Sequence, residues 1–265
     1  MDLELQGRVA TITGGGRGIG KAVALALADH GASVGICGRT AETLNATAEE
    51  IRAKGVDAWP IVVDVRVLEN IQAFISQVAA TAGRLDIHVN NAVSSVRAPM
   101  NEQTDELWRN HLDVKLMAYI RSAREVLPHM QKNGWGRIVN IGGITARISA
   151  SHRVTNGVIN AGVANFTKSF ADFIARDKIT VNCVHPGTTV TDRMMEGFER
   201  YARDAGVSVE EMERQKAQEI PMGEFTQPED IANAALYLAS EASGWMTGQE
   251  MVIDGGGLIA FNRVG

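Results

Sequence analysis

The feature that most constrains the fold is the alternation of short Val- and Ile-rich runs with longer helical patterns along the 265 residues. The runs lack the alternating polar positions of a half-exposed strand, so we expect strands buried on both faces, as in a parallel sheet. Repeated βαβ units with right-handed crossovers predict an α/β fold with a doubly wound parallel sheet. The predicted strands are VATIT (9–13), SVGIC (33–37), AWPIVVDV (58–65), DIHVNNA (86–92), RIVNIGG (137–143), ITVNCVHP (179–186) and EMVIDGG (250–256).

The alternation extends over the chain without a linker, repeat or low-complexity tract, which predicts a single domain over residues 1–265. Its least regular part is the polar segment 188–225, TTVTDRMMEGFERYARDAGVSVEEMERQKAQEIPMGEF. Because loops over a rigid scaffold commonly close over a ligand, we expect this segment to form a mobile cover for the site.

Charge and hydropathy exclude several classes of partner. There are 26 Lys and Arg residues against 31 Asp and Glu residues, a net charge of −5, and no basic run supports binding to nucleic acid or to an anionic membrane. No apolar run approaches the roughly 20 residues of a membrane span, and no signal peptide precedes the first strand. Cys37 and Cys183 lie in apolar strands, where buried free thiols are expected. These observations predict a cytoplasmic protein, and we assign no metal site.

A glycine-rich run follows the first predicted strand and opens the first predicted helix. Glycines at such a turn allow backbone N–H groups to approach a pyrophosphate at the helix N-terminus. The position between strand and helix makes this run stronger support for a dinucleotide site than glycines alone would be. The run consists of Gly14, Gly15, Gly16, Arg17, Gly18, Ile19 and Gly20.

The end of the second strand predicts which dinucleotide is bound. NAD-binding sites place a carboxylate there for the ribose 2′-hydroxyl, but this chain has Cys37, Gly38 and Arg39. Arg17 lies inside the glycine run, and two guanidinium groups near one ribose suit a 2′-phosphate. The sequence therefore favours NADP(H); the alternative is that these are solvated surface arginines.

Several motifs together resemble the short-chain dehydrogenase/reductase family over about residues 6–257: TGGGRGIG (13–20), Asp64-Val65, NNA (90–92), HPG with Thr191 (185–191) and TGQEMVIDGG (247–256). The resemblance implies a single-domain Rossmann fold of about seven strands that binds NADP(H). It places Asp64 and Val65 at the adenine, Asn91 and Ala92 along the ribose, and Pro186, Gly187, Thr189 and Thr191 around the nicotinamide. Val93 replaces the usual glycine of the family's NNAG, and its side chain is expected to crowd the nicotinamide.

The resemblance also implies that the residues which normally perform the chemistry are exchanged. In the stretch HRVTNGVINAGVANF (152–166), two amides four residues apart share one helix face. Alignment on the family's YxxxK pattern puts Asn156 at the tyrosine and Asn160 at the lysine. Gly143 takes the place of the serine, and Lys115, seven residues after Trp108, takes the place of the helical asparagine. Asn156 is expected to orient an oxygen and Asn160 to bind a ribose hydroxyl, but neither amide exchanges a proton near neutral pH.

The loss of a positioned general acid predicts slow chemistry of the usual kind. Such an acid contributes about 10²–10⁴ in rate, or roughly 3–5 kcal/mol of barrier, and an oxyanion donor about 10²–10³. Ketone–alcohol interconversion should therefore be very slow unless other groups substitute. Lys115, if desolvated, is a candidate base or nucleophile, and His152, just before the helix, is the best-placed general acid. The alternatives are a lysine with its ammonium in solvent and an ordinary loop histidine.

Three functions remain open from the sequence. The first is an NADP(H)-dependent oxidoreductase with other acid–base groups, acting on an activated C=C or imine bond of a small molecule. The second is a non-redox enzyme, of hydratase, isomerase or lyase type, with Lys115 or His152 as base. The third is a non-catalytic NADP-binding partner protein. Two helical patterns, LWRNHLDVKLMAYIRSAREVLPHM and GVINAGVANFTKSFADFIA, are apolar over more than one face, which predicts a homodimer or homotetramer.

Overall fold

The computed structural model describes residues 3–94 and 98–261, and within them the chain forms one seven-stranded sheet. All adjacent strands are parallel, and the strand order is β3-β2-β1-β4-β5-β6-β7. The predicted doubly wound α/β fold is confirmed. The strands are β1 (Val9–Thr13), β2 (Ser33–Gly38), β3 (Ala58–Val62), β4 (Ile87–Asn90), β5 (Gly136–Ile141), β6 (Ile179–Pro186) and β7 (Glu250–Ile253).

Helices cover both faces of this sheet. Residues of α1, α2 and α9, such as Leu27, Leu44 and Ile231, form one buried layer, and residues of α3, α5 and α6, such as Phe74 and Val126, form the other. The helices are α1 (Gly18–Asp29), α2 (Ala41–Arg52), α3 (Leu68–Ala82), α4 (Asp105–His111), α5 (Ala118–Asn133), α6 (Val154–Ile174), α7 (Asp192–Ala205), α8 (Val209–Gln218), α9 (Pro228–Leu238) and α10 (Gly257–Phe261). Between α4 and α5 the chain makes a π-helical turn over Leu112–Met117.

The expectation that every strand is buried on both faces is wrong for two of them. β1, β4, β5 and β6 are buried throughout, but β7 is half-buried, and β3 is buried only at its first residue. β3 and β7 form the two edges of the sheet, so each has a neighbouring strand on one side only. An edge strand with the same Val and Ile content as a central one cannot be distinguished from it by composition.

The segment 188–225 is more regular than predicted. It contains α7 and α8, whose first turns are capped by Thr191 and Ser208: each hydroxyl accepts a hydrogen bond from a backbone N–H three residues on. Phe198 and Met212 are buried together in a small apolar cluster between these helices. Its role as a mobile cover stays a prediction.

None of the helices in the described part of the chain combines the length and the apolar character needed to cross a membrane. Cys37 and Cys183 are buried free thiols, as expected.

Candidate active site

A cleft of about 460 Å³ opens at the carboxyl ends of β1, β2 and β4, where the direction of the strand order reverses. Open parallel sheets bind nucleotides at this point. Most predicted cofactor residues line the cleft: Gly14, Gly16, Arg17, Gly18, Ile19, Arg39, Asp64, Val65, Asn91, Ala92 and Thr191. The predicted contacts that do not line it are Gly20, Asn160, Pro186, Gly187 and Thr189.

The glycines of the first turn are required by close approaches. Gly14 has a positive φ of 70°, a conformation that L side chains rarely adopt. A Cβ at Gly16 would lie 2.8 Å from the Thr43 hydroxyl oxygen, and one at Gly20 would lie 2.2 Å from the Gly14 carbonyl oxygen. Gly20 therefore does not face the cleft; it lets α1 pack against the turn.

Asn91 fixes this turn from the neighbouring strand. Its side-chain amide donates to the carbonyl oxygens of Thr13 and Gly14, at 3.1 and 3.0 Å. Its backbone N–H donates to the Thr13 hydroxyl at 3.0 Å. The structure thus gives Asn91 a positioning contact to the glycine turn, in addition to its place on the wall of the cleft.

Positive charge gathers on one side of the cleft. Within the described residues, the side chains of Arg17 and Arg39 make no hydrogen bond or ion pair. Arg193, at the start of α7, also lines the cleft and donates to the Val93 carbonyl oxygen at 3.2 Å. Burial lowers the pKa of Arg193, and the nearby charges of Arg17 and Arg39 lower it further while Glu196 opposes them. An anionic ligand would relieve this repulsion among cations.

Sequence reasoning missed the groups that hold Asp64. The Arg66 guanidinium donates to the Asp64 carboxylate, with Nη2 of Arg66 2.5 Å from Oδ2 of Asp64. This hydrogen bond holds the pKa of Asp64 below its ordinary value. Arg66 also donates to Asn110, whose amide donates to the Ser94 hydroxyl at 3.0 Å. Asp64, Arg66, Asn110 and Ser94 therefore form one connected wall. The position of Arg66, two residues after Asp64, was the only signal available in the sequence.

The residues after β6 lead to the cleft without all lining it. Pro186 is the last residue of β6, and a Cβ at Gly187 would lie 2.7 Å from Asp254 Cβ. Thr189 is buried and pairs with Thr226 through a single parallel bridge. Thr191, which caps α7, is the member of this group that lines the cleft.

Gly143 and Asn160 lie against each other at the end of β5. A Cβ at Gly143 would be 2.7 Å from the Asn160 amide nitrogen, which donates to the Thr145 hydroxyl at 2.8 Å. The Asn160 side-chain oxygen is buried and has no hydrogen-bond partner among the described residues. Asn156, one turn earlier on α6, is half-buried. The buried Asn160 oxygen is an acceptor that a ligand hydroxyl can satisfy.

Lys115 lies in the π-helical turn, a rare local structure that often occurs at functional sites. Its side chain is buried, and its ammonium donates to the Gly142 carbonyl oxygen at 2.8 Å, next to Gly143. Burial lowers the pKa of Lys115 to about 8; Cys183 acts in the opposite direction and Arg193 in the same one. The expected desolvation of Lys115 is therefore present, and its ammonium can exchange a proton near neutral pH.

Two histidines differ from what the sequence indicated. His152 is exposed in the turn before α6, and no hydrogen bond or ion pair joins it to Lys115, Gly143 or Asn160. His111, which sequence reasoning passed over, lies one helical turn before Lys115 and is buried with its Nδ1 atom unpartnered among the described residues. Burial, followed by the charges of Lys115 and Arg193, lowers the pKa of His111 to about 4. The i, i+4 spacing of His111 and Lys115 was a readable signal.

The described tyrosine nearest to Lys115 in sequence is engaged elsewhere. Tyr119 follows Lys115 by one turn and is buried; its hydroxyl donates to the Ile141 carbonyl oxygen at 2.9 Å. The Lys115 ammonium lies 5.9 Å from the centre of the Tyr119 ring. Burial raises the pKa of Tyr119 well above its ordinary value.

Similar proteins agree with this architecture. Residues 14–257 match the sequence profile of the family described as "Enoyl-(Acyl carrier protein) reductase". The chain is 34% identical to the 3-oxoacyl-(acyl-carrier-protein) reductase FabG of Aquifex aeolicus, over 97% of this chain and 99% of that one. It is 32% identical to the NADPH-dependent reductase BacG of Bacillus subtilis, over 95% and 98%. L-sorbose reductase of Gluconobacter frateurii, solved with NADPH and L-sorbose, superposes with a TM-score of 0.94 at 32% identity, over 97% and 99%.

Proposed function

The chain belongs to the short-chain dehydrogenase/reductase family, and we propose that it is an NADP(H)-dependent oxidoreductase in which Lys115 supplies the proton. The observation that carries this function is the buried Lys115 ammonium, 2.8 Å from the Gly142 carbonyl oxygen at the end of β5. Relatives named as NADPH-dependent, and solved structures that contain NADPH, support the cofactor.

The cofactor is NADP(H), and the residues present fit it. Gly14, Gly16 and Gly18 line the cleft at the N-terminus of α1, where the first backbone N–H groups of a helix have no intrahelical partners and can bind a pyrophosphate. Arg17 and Arg39 supply the positive charge that a 2′-phosphate needs. The Asn160 oxygen is buried and unpartnered among the described residues but does not line the cleft, so it accepts from a ribose hydroxyl only if its surroundings shift when the cofactor binds. When bound, NADPH supplies hydride to a carbon of the substrate.

The usual proton machinery of the family is exchanged in this proposal. Asn156 and Asn160 stand where the family has its tyrosine and lysine, Gly143 stands where it has serine, and Lys115 stands where it has the helical asparagine. Since an amide orients an oxygen but does not transfer a proton, Asn156 and Asn160 cannot replace the tyrosine, and ketone–alcohol interconversion is slow unless Lys115 reaches the ketone oxygen.

Lys115 suits a bond that needs little help at an oxygen. Its ammonium has one hydrogen on the Gly142 carbonyl oxygen and two more that a substrate could accept, although Lys115 itself does not line the cleft. In an activated C=C or C=N bond, hydride adds to one atom and the Lys115 proton adds to the other. Water then returns a proton to the Lys115 amine. The substrate class is therefore a small molecule with an enoyl or imine group.

Cofactor titration and turnover test this function. We expect NADPH to bind more tightly than NADH by fluorescence, and NADPH to be oxidised on an enoyl or imine panel faster than on a 3-oxoacyl or sugar ketone panel. Lys115→Met should lower kcat by about 10²–10⁴ without loss of NADPH affinity. His152→Ala is the matched control, because this side chain is exposed and has no described hydrogen bond or ion pair with Lys115, Gly143 or Asn160. Equal turnover of Lys115→Met and the parent would contradict the proposal.

The pH profile separates this function from a non-redox one. As a general acid, Lys115 must be protonated, so kcat should fall as pH rises through about 8. The low pKa also leaves part of Lys115 neutral near physiological pH, which would suit a base in a hydratase, isomerase or lyase. That second function requires the opposite limb, with substrate conversion that rises through about 8 and no oxidation of NADPH. Cofactor binding with no conversion on any panel would indicate a non-catalytic partner protein.

We also propose that the chain forms a homodimer or homotetramer. Val158 and Phe173 on α6 are 57% and 74% exposed in the single chain, and Leu112 in the π-helical turn is also exposed. Phe173 continues a stack of rings from Phe166 and Phe170 on the same helix. A second copy would cover these apolar side chains. Light scattering at micromolar concentration should give a mass above that of one 28.5 kDa chain; a monomeric mass would contradict this. Cytoplasmic location stays a prediction.

A further inference from the structure

The peptide between Gly142 and Gly143 is held from two sides. Its carbonyl oxygen, on Gly142, accepts from the Lys115 ammonium at 2.8 Å. Its N–H, on Gly143, donates to Nδ1 of His185 at 3.0 Å. One peptide group therefore connects the candidate proton donor on the π-helical turn to a histidine on β6.

The connection continues to a carboxylate. Nε2 of His185 lies 2.9 Å from Glu250 Oε2 on β7, and the side chains of both residues are buried. Nδ1 lies 3.0 Å from both the N–H and the carbonyl oxygen of Gly143. Because a carboxylate only accepts, Nε2 carries the proton of the neutral ring, and Nδ1 then has a lone pair that accepts from the Gly143 N–H and cannot donate to the Gly143 carbonyl oxygen; this tautomer is assigned from the network. Burial lowers the pKa of His185, which favours the neutral ring that this arrangement needs, although Glu250 opposes that shift.

Glu250 is a fixed negative charge. Burial alone would raise its pKa, but hydrogen bonds from Lys168, Arg147 and His185 hold the pKa of Glu250 at about 2. Lys168 and Arg147 reach the carboxylate from the surface, at 2.6 and 2.9 Å. The carboxylate is therefore ionised at every pH at which the enzyme would work.

With this tautomer of His185, the hydrogen-bond donors from Lys115 to Glu250 all point the same way. Lys115 donates to Gly142, Gly143 donates to His185, and His185 donates to Glu250. Hydrogen bonds aligned in series between a cation and an anion polarise one another. This series of hydrogen bonds also requires glycine at position 142, because a Cβ there would lie 2.5 Å from His185 Nδ1.

Among the described residues, the other titratable groups close to Lys115 carry no negative charge near neutral pH. On its own helical unit, His111 is neutral above a pKa of about 4, and Tyr119 keeps its proton because burial raises its pKa. On β6, burial raises the pKa of the Cys183 thiol to about 12. On α7, Arg193 adds a like charge. The charge that balances Lys115 therefore comes through the peptide and His185.

We infer that His185 and Glu250 are positioning residues for Lys115: they fix the Gly142–Gly143 peptide so that its carbonyl oxygen orients the ammonium, and they stabilise its charged form. The inference rests on the proposed function only in the use that it gives to Lys115. The orientation and the protonation of Lys115 can be measured without turnover.

Lysine NMR of the full-length protein tests the inference. Protein carrying 13C- and 15N-labelled lysine is titrated with pH, and the Lys115 signal is identified by its loss in Lys115→Met. We expect a midpoint near 8 in the parent. Glu250→Gln and His185→Leu should each lower that midpoint by about 0.5–1 on the pH scale. The first removes the negative charge of the carboxylate, and the second removes the ring that connects it to the Gly142–Gly143 peptide, in an interior of low dielectric constant.

Two variants serve as matched controls. His185→Gln keeps one acceptor and one donor, because the amide carbon carries an oxygen and an NH2 group much as Cε1 of the ring carries Nδ1 and Nε2. This variant should therefore have the same Lys115 midpoint as the parent. His88→Gln changes another fully buried histidine, on β4. Its described hydrogen bonds are with Thr11 and Asn90, and it takes no part in the hydrogen bonds between Lys115 and Glu250. It should leave the Lys115 midpoint unchanged.

An unchanged midpoint in both Glu250→Gln and His185→Leu would overturn the inference. If neither variant folds, Lys168→Gln decides, because it removes an exposed cation from Glu250 without altering the buried pair. It should raise the Lys115 midpoint, and no shift would again overturn the inference. If the midpoints move as expected while Lys115→Met turns over NADPH as fast as the parent, the proposed function fails and the positioning of Lys115 stands.

Discussion

The two ends of the site are held together by different means. At the cofactor end, beyond β1, the shape depends on backbone: the glycine turn has a positive φ at Gly14, a close packing contact at Gly20, and carbonyl groups fixed by Asn91. At the proposed reaction end, beyond β5 and β6, the shape depends on side chains, because Lys115 and His185 both make hydrogen bonds to the peptide between Gly142 and Gly143.

This difference fits the proposed function, in which the cofactor site is kept and the groups that perform the reaction are exchanged. A glycine turn has few alternatives, because an added Cβ would meet backbone atoms such as the Gly14 carbonyl oxygen. Side chains at the reaction end meet one another, so a pair can be exchanged together without moving a strand. Gly143 and Asn160 form such a pair, since the asparagine amide lies 2.7 Å from the place of a Cβ at Gly143. Function must therefore be argued from the site and not from the fold.

The largest expected effect comes from rebuilding the reaction end. The fourfold variant Lys115→Asn, Gly143→Ser, Asn156→Tyr, Asn160→Lys should raise kcat/KM for ketone reduction by about 10²–10⁴, because it restores a positioned proton donor. Steady-state NADPH oxidation on 3-oxoacyl and sugar ketones measures the gain.

Gly143→Ser alone is the control for this rebuilding. Its Cβ would meet the Asn160 amide nitrogen, so it should lower the melting temperature without a gain in rate. If the fourfold variant folds and binds NADPH but gains no ketone activity, the contrast between the two ends is wrong, since the reaction end would depend on more than these positions.

The two ends also differ in how far the sequence alone predicts them. The Val- and Ile-rich runs predict the strands, and parallel sheets bind their ligands at the carboxyl ends of the strands. This places Arg39 and Asp64, which follow the second and third strands, beside the glycine turn, and both line the cleft. That placement needs only strand order. The contact of His185 with Glu250 joins residues 65 positions apart and depends on the register of β6 with β7, which composition does not encode.

The segment 188–225 was less predictable for another reason. α7 and α8 are polar because most of their surface is exposed. The apolar cluster between them contains too few residues to produce a clear helical periodicity of apolar positions in the sequence. Thr191 and Ser208 were readable as helix caps. Arg193, two residues after Thr191, reaches the cleft because α7 begins at the edge of the cleft.

The next effect concerns stability at the cofactor end. Burial lowers the pKa of His88 on β4 to about 4, below its ordinary value of 6.5. A depressed pKa contributes stability that is complete above the unfolded value and is lost as pH falls through the folded one. The unfolding free energy of the parent should therefore fall between about pH 6.5 and 4, with about 3 kcal/mol from His88.

Urea unfolding at a series of pH values measures this loss. His88→Gln, which cannot titrate, should show a shallower fall over the same window. Glu250, at the other end of the site, has a depressed pKa of about 2, so its contribution should be lost at lower pH, below its ordinary value of 4.5. Identical pH slopes for the parent and His88→Gln would contradict this assignment.

A third expectation concerns cofactor choice. Arg17→Gln with Arg39→Gln should weaken NADPH binding by about 10–100-fold and leave NADH binding nearly unchanged, since only NADPH carries the 2′-phosphate. Fluorescence titration at two salt concentrations measures both affinities, and the loss should be smaller at high salt. Arg109→Gln, an exposed arginine outside the cleft lining, is the control. An equal loss for both cofactors would indicate a site for the pyrophosphate instead.

The smallest expected effect is at Asn156. Its side chain is half-buried, and its one described hydrogen bond, from the Thr155 hydroxyl, is long at 3.5 Å. If its amide only orients a substrate oxygen, Asn156→Ala should remove one hydrogen bond, about 0.5–1.5 kcal/mol, and lower kcat/KM by about 2–10-fold. An amide has no pKa in the working range, so the pH profile of the variant should run parallel to that of the parent. Lys115→Arg should instead displace the limb near 8 to higher pH, because a guanidinium stays charged. A displaced limb in Asn156→Ala would mean that this position takes part in proton transfer after all, and the reaction end would then resemble the rest of the family more than its residues indicate.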